Sequence, residues 1–136
     1  MNKVVPVDEE YIFEGRVAIS QTDLKGVITF VNRKYSEISG YTVSELVGSN
    51  QDIIRHPDVP KSVFLKMWEN ISSGQVWNGL IKNMRRDGQF YWVDVELAPI
   101  LDEQKNITGY ISVSKPAPRK NIIEKEKQYR QENNTK

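Results

Sequence analysis

The sequence predicts an α+β domain: a five-stranded antiparallel sheet with short helices and one longer helix on one face. Three observations carry that class. Two short β-branched segments flank Asp23-Leu24-Lys25-Gly26 and read as a hairpin. Residues 60–73 hold one apolar stripe at helical spacing. From Trp77 onward the apolar period changes to two, over three segments broken by turn residues, which is an antiparallel meander. Strands at both ends with helices between them fit a segregated α+β layer.

Residues 1–16 read as an N-terminal cap. Pro6 and Asp8-Glu9-Glu10 are placed to open a short helix, and Tyr11, Ile12 and Phe13 need a surface to sit on. Residues 17–116 form the sheet domain. Residues 17–22 and 27–31 are its first two strands, and Asn32 ends the second. Tyr35 and Ile38 stand three apart on a short helix that Gly40 stops. Thr42-Val43-Ser44-Glu45 is a capping box for a second short helix ending at Gly48, and residues 49–54 add one more turn. Pro60 suits the first turn of the long helix. Its stripe is Val63, Phe64, Met67, Trp68 and Ile71, and Gly74 is the stop. Strands follow over 77–85, 89–101 and 107–115, and Pro116 and Pro118 end the sheet. Residues 117–136 are a charged helix or tail whose only anchors are Ile122, Ile123 and Tyr129.

Composition narrows the function classes. The chain has 136 residues, enough for one domain with extensions. Its formal charge is +1 with both signs mixed, so there is no basic stripe for nucleic acid. No run is long enough to span a bilayer and no apolar signal follows Met1, so direct membrane insertion is not expected. The absence of cysteine rules out disulfides and thiolate chemistry, fits a reducing cytoplasm, and with a single histidine argues against structural zinc. There is no nucleophile–base pairing, phosphate-cradling glycine loop or metal-ligand set, so the chain does not read as an enzyme.

The segment from Asp52 to Pro60 gathers the only histidine, an arginine, two aspartates and two prolines within nine residues. Two prolines make it a stiff, bent connector that presents Arg55 and His56 to a ligand. Asp58 is placed to accept backbone N–H bonds that hold the bend. On the third strand, Asn83 shares parity with Trp77, Gly79 and Ile81. A polar asparagine on an apolar face needs a partner, either nearby backbone or a ligand.

Ser39-Gly40-Tyr41-Thr42 followed by Glu45-Leu46 and Gly48 resembles a block common in PAS sensor domains. A narrower match is carried by Arg55-His56-Pro57-Asp58 with Pro60, Met67-Trp68, Trp77-Asn78-Gly79, Lys82-Asn83 and Tyr91-Trp92. It is similar to the FAD-binding PAS domain of bacterial aerotaxis, or energy-taxis, receptors. The resemblance runs from about residue 17 to residue 115. It implies the PAS fold, a non-covalently held flavin (FAD ahead of FMN, and both ahead of haem), and a redox or energy sensor. It also implies a conformational signal passed to a chemotaxis-type partner. A second likeness is to LOV photosensors. Gly48-Ser49-Asn50-Gln51 lies where they carry G-x-N-C, so Gln51 replaces the adduct-forming cysteine and excludes that photochemistry. Asn83-Met84-Arg85-Arg86-Asp87-Gly88 resembles the LOV block whose asparagine bonds the flavin pyrimidine edge, and that role carries to Asn83. Val93 and Ser114 stand where LOV domains have a second asparagine and a glutamine, so the edge is held differently.

The resemblance and the residue chemistry together assign cofactor contact to Asn32, Arg55, His56, Trp68, Trp77, Asn83 and Tyr91. An isoalloxazine is a flat apolar ring with a polar edge and needs an apolar slot with a few placed amides. Trp68 and Trp77 either wall that ring or serve as core aromatics. Arg55 either pairs with a pyrophosphate or the flavin edge, or forms an ion pair with Asp52 or Asp58. On the opposite sheet face, Leu80, Phe90 and Trp92 point outward. The LOV likeness turns Ser112 and Ser114 inward and Ile111 and Val113 outward, whereas apolar parity alone assigns that strand the other way. The apolar outer face then awaits the N-terminal cap, a second copy in a homodimer, or a separate chemoreceptor-type protein. The alternatives are a haem-binding gas sensor with His56 as axial ligand, a ligand-free dimerisation module, and a flavin oxidoreductase.

Overall fold

The computed structural model describes residues 4–134. The first three residues of the cap and the last two of the tail lie outside the described residues. The strands are β1 (Ala18–Thr22), β2 (Ile28–Val31), β3 (Trp77–Met84), β4 (Phe90–Leu101) and β5 (Ile107–Pro116). They form one antiparallel sheet in the order β2-β1-β5-β4-β3. The first hairpin closes because Asp23 Oδ1 accepts from the backbone N–H groups of Lys25 and Val27 at 2.9 and 3.0 Å. Gly26 supplies the positive φ of 85° that the turn requires. Pairing of β1 with β5 then joins the hairpin to the meander in the middle of the sheet.

Register decides which side chains share a face. Trp77, Gly79, Ile81 and Asn83 of β3 lie opposite Leu97, Val95, Val93 and Tyr91 of β4. Val95 and Leu97 lie opposite Ser114 and Ser112 of β5, and these serines lie opposite Ala18 and Ser20 of β1. All belong to the inner face. Ser112 and Ser114 therefore sit inward, against the apolar parity of β5. Ile111 and Val113 take the outer parity, opposite Gln21 and Ile19.

The inner face is roofed by α1 (Arg33–Ser39), α2 (Val43–Leu46), a 3-10 helix (Gln51–Ile54) and α3 (Lys61–Ser72). Each short helix has its own local stop and start. Asn32 caps α1 and Gly40 ends it at φ 79°. Thr42 and Glu45 form the expected capping box on α2. Asn50 caps the 3-10 helix by accepting from Asp52 N–H. Ile28, Ile38, Leu46, Tyr91 and Val93 are the most deeply buried large side chains and fix the roof to the sheet.

Two parts differ from expectation. The cap is not helical. It runs extended and extends the sheet beside the start of β4, with Tyr11 N–H donating to Phe90 O at 2.7 Å and Phe90 N–H to Glu9 O at 3.0 Å. Backbone pairing satisfies the groups that a helix opened at Pro6 would satisfy internally, and Phe13 is buried as the anchor. The charged tail is a helix, α4 (Arg119–Asn134), docked on the outer face. Ile122 and Tyr129 are buried, whereas Ile123 is exposed. Tyr129 stacks on Trp92 at 5.8 Å and 20°, and its hydroxyl donates to Leu80 O at 3.0 Å. Leu80 and Trp92, expected to meet a partner, are thus covered by the chain's own helix.

Tyr129→Ala removes the one aromatic anchor of a helix that is otherwise mostly charged. We expect a loss of about 2–4 kcal/mol in folding stability, read by urea denaturation. A red shift of tryptophan emission should accompany it, because Trp92 becomes wet. Unchanged emission and stability would mean that α4 contributes nothing to the outer face.

Candidate functional site

A cavity of about 130 Å³ lies between the inner sheet face and the roof. Ile81, Val93, Val95 and Leu97 form its sheet wall, and Ile54, Phe64, Met67 and Ile71 form its helical wall. Its mouth, between the 3-10 helix and α3, is lined by the exposed residues Asn50, Asp52, Arg55 and Trp68. The inward part of its lining is neutral and buried: Ser20, Tyr35, Ser112 and Ser114, with half-buried Gln51 bonded to Tyr35. Ile111 also borders the cavity despite its outer parity.

Three sequence-predicted residues border this space. Asn83, 8% exposed, closes the wall at the end of β3. Trp68 lies at the mouth edge-on to Tyr110, 5.5 Å between ring centres. Arg55 lays its guanidinium over the Phe64 ring at 3.8 Å, so neither Asp52 nor Asp58 pairs with it. The backbone of Arg55 bridges to Asn83, which fastens the connector to the edge of β3.

Two others share the inner face without lining the cavity. The Trp77 ring lies over Gly79, so closely that a Cβ on Gly79 would meet it at 2.6 Å. Glycine at 79 is what lets the indole lie flat along β3. Tyr91 sits opposite Asn83 across the β3–β4 pair and is 1% exposed, with its phenol beside the Asn83 side chain. Burial pushes its phenol well up from 10, and Tyr35 adds to the rise. It braces Asn83 from behind.

The remaining two lie elsewhere. Asn32 Oδ1 accepts from Tyr35 N–H and Ile19 N–H, both at 3.0 Å, and its Nδ2 donates to Val17 O at 3.1 Å. Capping of α1 and bridging to β1 use the side chain, so it does not reach the cavity. His56 is 4% exposed but on the outer side, edge-on to Phe90 at 6.5 Å. Arg55 is extended (φ −70°, ψ 129°), so residues 55 and 56 leave the backbone on opposite sides. With Arg55 at the cavity, His56 turns away from it. Its Nδ1 accepts from Asp58 N–H at 3.0 Å. An axial-ligand role for His56 in the cavity does not fit this placement. Asp58 also departs from expectation: its carboxylate accepts from Lys82 Nζ at 2.9 Å rather than from backbone. Phe90, expected on a partner surface, is occupied by His56 and by Lys82 Nζ, 4.4 Å from its ring centre.

Sequence reading missed Ser20, Tyr35 and Gln51 as a group. Gln51 Nε2 donates to the Tyr35 hydroxyl at 3.0 Å. Burial raises the Tyr35 pKa, and Ser20 and Gln51 oppose that rise. Ser20 is fully buried and close to Tyr35, yet its Oγ meets no partner in hydrogen-bond geometry. The available signal was the inward parity of Ala18, Ser20 and Thr22, because small residues on a buried face leave room for something else.

A cavity enclosed between a sheet and a roof of short helices is an arrangement that can take up a small ligand. Residues 28–114 match the PAS fold family, and the chain belongs to it. It is 39% identical over 112 residues to the aerotaxis receptor of Escherichia coli K12, covering 82% of this chain and 22% of that protein. It is 29% identical over 102 residues to the nitrogen fixation regulatory protein of Klebsiella pneumoniae, covering 75% of this chain and 21% of that one. The chain thus spans about a fifth of the length of these relatives. Among solved structures, the dark state of the LOV domain of the blue-light photoreceptor Aureochrome1 superposes with a TM-score of 0.71. It is 21% identical, over 87% of this chain and 85% of that one. A PAS domain from Colwellia psychrerythraea gives a TM-score of 0.65 at 24% identity, over 74% of this chain and 86% of that one. These structures share the fold.

The outer-side histidine has a measurable signature. Burial, then the Lys82 ammonium, hold the His56 imidazole below its ordinary 6.5, and Asp58 acts the other way. The unfolded chain takes up a proton near that value and the folded chain resists it, so stability falls as pH drops through it. Asp58 lies below its ordinary 3.8: burial opposes ionisation, but Lys82 and His56 outweigh it, so its own loss comes at lower pH. We expect stability to decline as pH falls from about 7.5 through 6.5. His56→Asn, which keeps an acceptor near Nδ1, should flatten that decline. Equal declines in both proteins would place the titrating group elsewhere.

Proposed function

We propose that this chain is a flavin-binding PAS redox or energy sensor that passes a conformational signal to a chemotaxis-type partner in the cytoplasm. The observation that carries the reading is Asn83, an almost buried amide at the end of an apolar cavity wall, with a fixed tyrosine behind it. The 39% identity to an aerotaxis receptor supports the sensing role, and relatives named as receptors and regulators support a sensor rather than an enzyme.

The donor set suits a flavin. An isoalloxazine combines apolar ring faces with an edge of alternating donors and acceptors. Asn83 and Gln51 each offer both kinds of group, and the sheet wall is aliphatic. Arg55 at the mouth suits a pyrophosphate, which favours FAD over FMN. Size is the constraint. The cavity is about 130 Å³, below the roughly 300–1,000 Å³ of pockets for ligands of this kind. Phe64, Trp68 and Arg55 must therefore swing outward on loading. They are the side chains free to do so, since Trp68 and Arg55 are exposed and Phe64 is half-buried.

A bound flavin supplies a reversible redox couple. The chain's own residues do the rest. Asn83 orients the ligand edge, Tyr91 holds Asn83, and the aliphatic walls exclude water. Arg55 communicates outward, because its backbone is bridged to Asn83 and the next three residues lead to Asp58. Asp58 O accepts from Asn133 Nδ2 of α4 at 3.0 Å. The partner surface of this reading is the uncovered part of the outer face, around Phe30, Ile111 and Val113, together with α4.

The visible absorption spectrum of the purified protein tests the proposal. The two-band spectrum of oxidised flavin is expected, either as isolated or after incubation with FAD. A colourless protein after that incubation overturns the reading, and a Soret band replaces it with haem. Asn83→Ala should weaken FAD retention roughly tenfold, the effect of leaving a polar ligand edge unpaired in a buried site. Arg55→Ala should weaken FAD binding while leaving riboflavin binding unchanged, because riboflavin has no phosphate.

A further inference from the structure

We infer that Ser20, Tyr35 and Gln51 form a second polar subsite of the cavity, one that receives a neutral hydrogen-bond acceptor of the ligand, a carbonyl oxygen or a ring nitrogen. It deepens the flavin reading and rests on it. The sequence marked Gln51 only as the residue standing in place of the LOV cysteine and did not mark Ser20 or Tyr35; the geometry joins the three.

Ser20 is 0% exposed, borders the cavity and lies beside the Tyr35 hydroxyl, but its Oγ is not aligned with any protein group in hydrogen-bond geometry. A buried hydroxyl in that state costs stability unless something in the cavity answers it. Tyr35, also bordering the cavity, accepts one bond from Gln51 Nε2 at 3.0 Å. That bond uses a lone pair and leaves the phenolic proton to donate. Two hydroxyl donors thus stand at the buried end of the same space, on β1 and α1. Gln51 fixes the orientation of one of them.

The class of ligand group follows from what the subsite lacks. The charged side chains that line the cavity, Asp52 and Arg55, are both exposed at the mouth. Without a facing cation, a buried pair of neutral donors suits an uncharged acceptor and does not repay the desolvation of an anion. The polar groups of the cavity are therefore divided. Asn83 and Arg55 serve the β3 side and the mouth, and Ser20 with Tyr35 serves the buried end. A flat heterocycle with acceptors on two edges meets both.

Ser20→Ala distinguishes a ligand subsite from a structural hydroxyl. In the flavin-free protein it should leave the melting temperature unchanged or raise it, because the hydroxyl it removes has no well-aligned protein partner. In titrations followed by flavin fluorescence, Ser20→Ala and Tyr35→Phe should each weaken binding of both FAD and riboflavin roughly three- to tenfold. Wild-type protein that binds neither flavin overturns the functional reading and this subsite with it. Wild-type protein that binds, with affinity unchanged in both variants, overturns the subsite alone. A clear fall in the melting temperature of flavin-free Ser20→Ala assigns Oγ to the protein's own packing and also overturns it.

Discussion

The backbone bridge between Arg55 and Asn83 is the constraint on which the site depends. β3 is the last strand of the sheet, and the far edge of such a strand is left with unpaired backbone groups. The connector fastens to that edge at one point, beside the cavity. Because the chain is extended there, consecutive side chains leave on opposite sides. Arg55 goes to the mouth and His56 goes behind the sheet. The two cannot share the cavity while the bridge stands.

The far side of the bridge explains how the outer face is covered. Asp58 takes the Lys82 ammonium at 2.9 Å, and Lys82 is itself 8% exposed over Phe90. A lysine this buried needs a counter-charge, since desolvation alone disfavours the ammonium. Asp58 provides it while remaining largely exposed itself. The same residue's carbonyl holds Asn133 of α4, and the Arg130 guanidinium helps keep the carboxylate ionised. The connector that closes the cavity on one face is therefore also a seat for the C-terminal helix on the other.

Much of this fold was legible in the sequence. The two-residue period of β3 and β4, the capping box at Thr42 and the stop at Gly40 each rest on local physics, and local patterns report local physics well. The cap and tail were less legible. Glu9 and Tyr11 are extended only because the start of β4 has backbone groups to offer, and Tyr129 is buried only because Trp92 faces outward; neither reason is written near those residues. The site divides in the same way. Asn83 stood out as a polar residue out of place on an apolar face. Ser20 did not, because a serine is ordinary anywhere and its missing partner is a fact of three dimensions. His56 misled for the converse reason: chemical richness in a short segment says nothing about which side of the chain each residue leaves from. For Ser112 and Ser114, family likeness outweighed apolar parity because Ile111 and Val113 face a surface that is itself apolar.

The small size of the cavity bears on how a signal would leave it. A ligand that needs more room can gain it only at the mouth, since the opposite end is formed by paired strands and the buried side chains of Tyr35 and Ser20. At the mouth, Arg55 rests on Phe64 of α3, so displacing one disturbs the other. Arg55 is three residues from the aspartate that seats α4. A ligand shifts a conformational equilibrium only by as much as it favours one arrangement over another. Here such a difference is built into the geometry, because the closed mouth and the seated helix use the same connector. Trp68 lies off the connector, exposed and edge-on to Tyr110, on the helix α3 whose Ser62 hydroxyl donates to the Glu132 carboxylate of α4. Among the mouth residues, Arg55 is the one whose own segment both bridges to Asn83 and, three residues on, seats α4 through the Asp58 carbonyl.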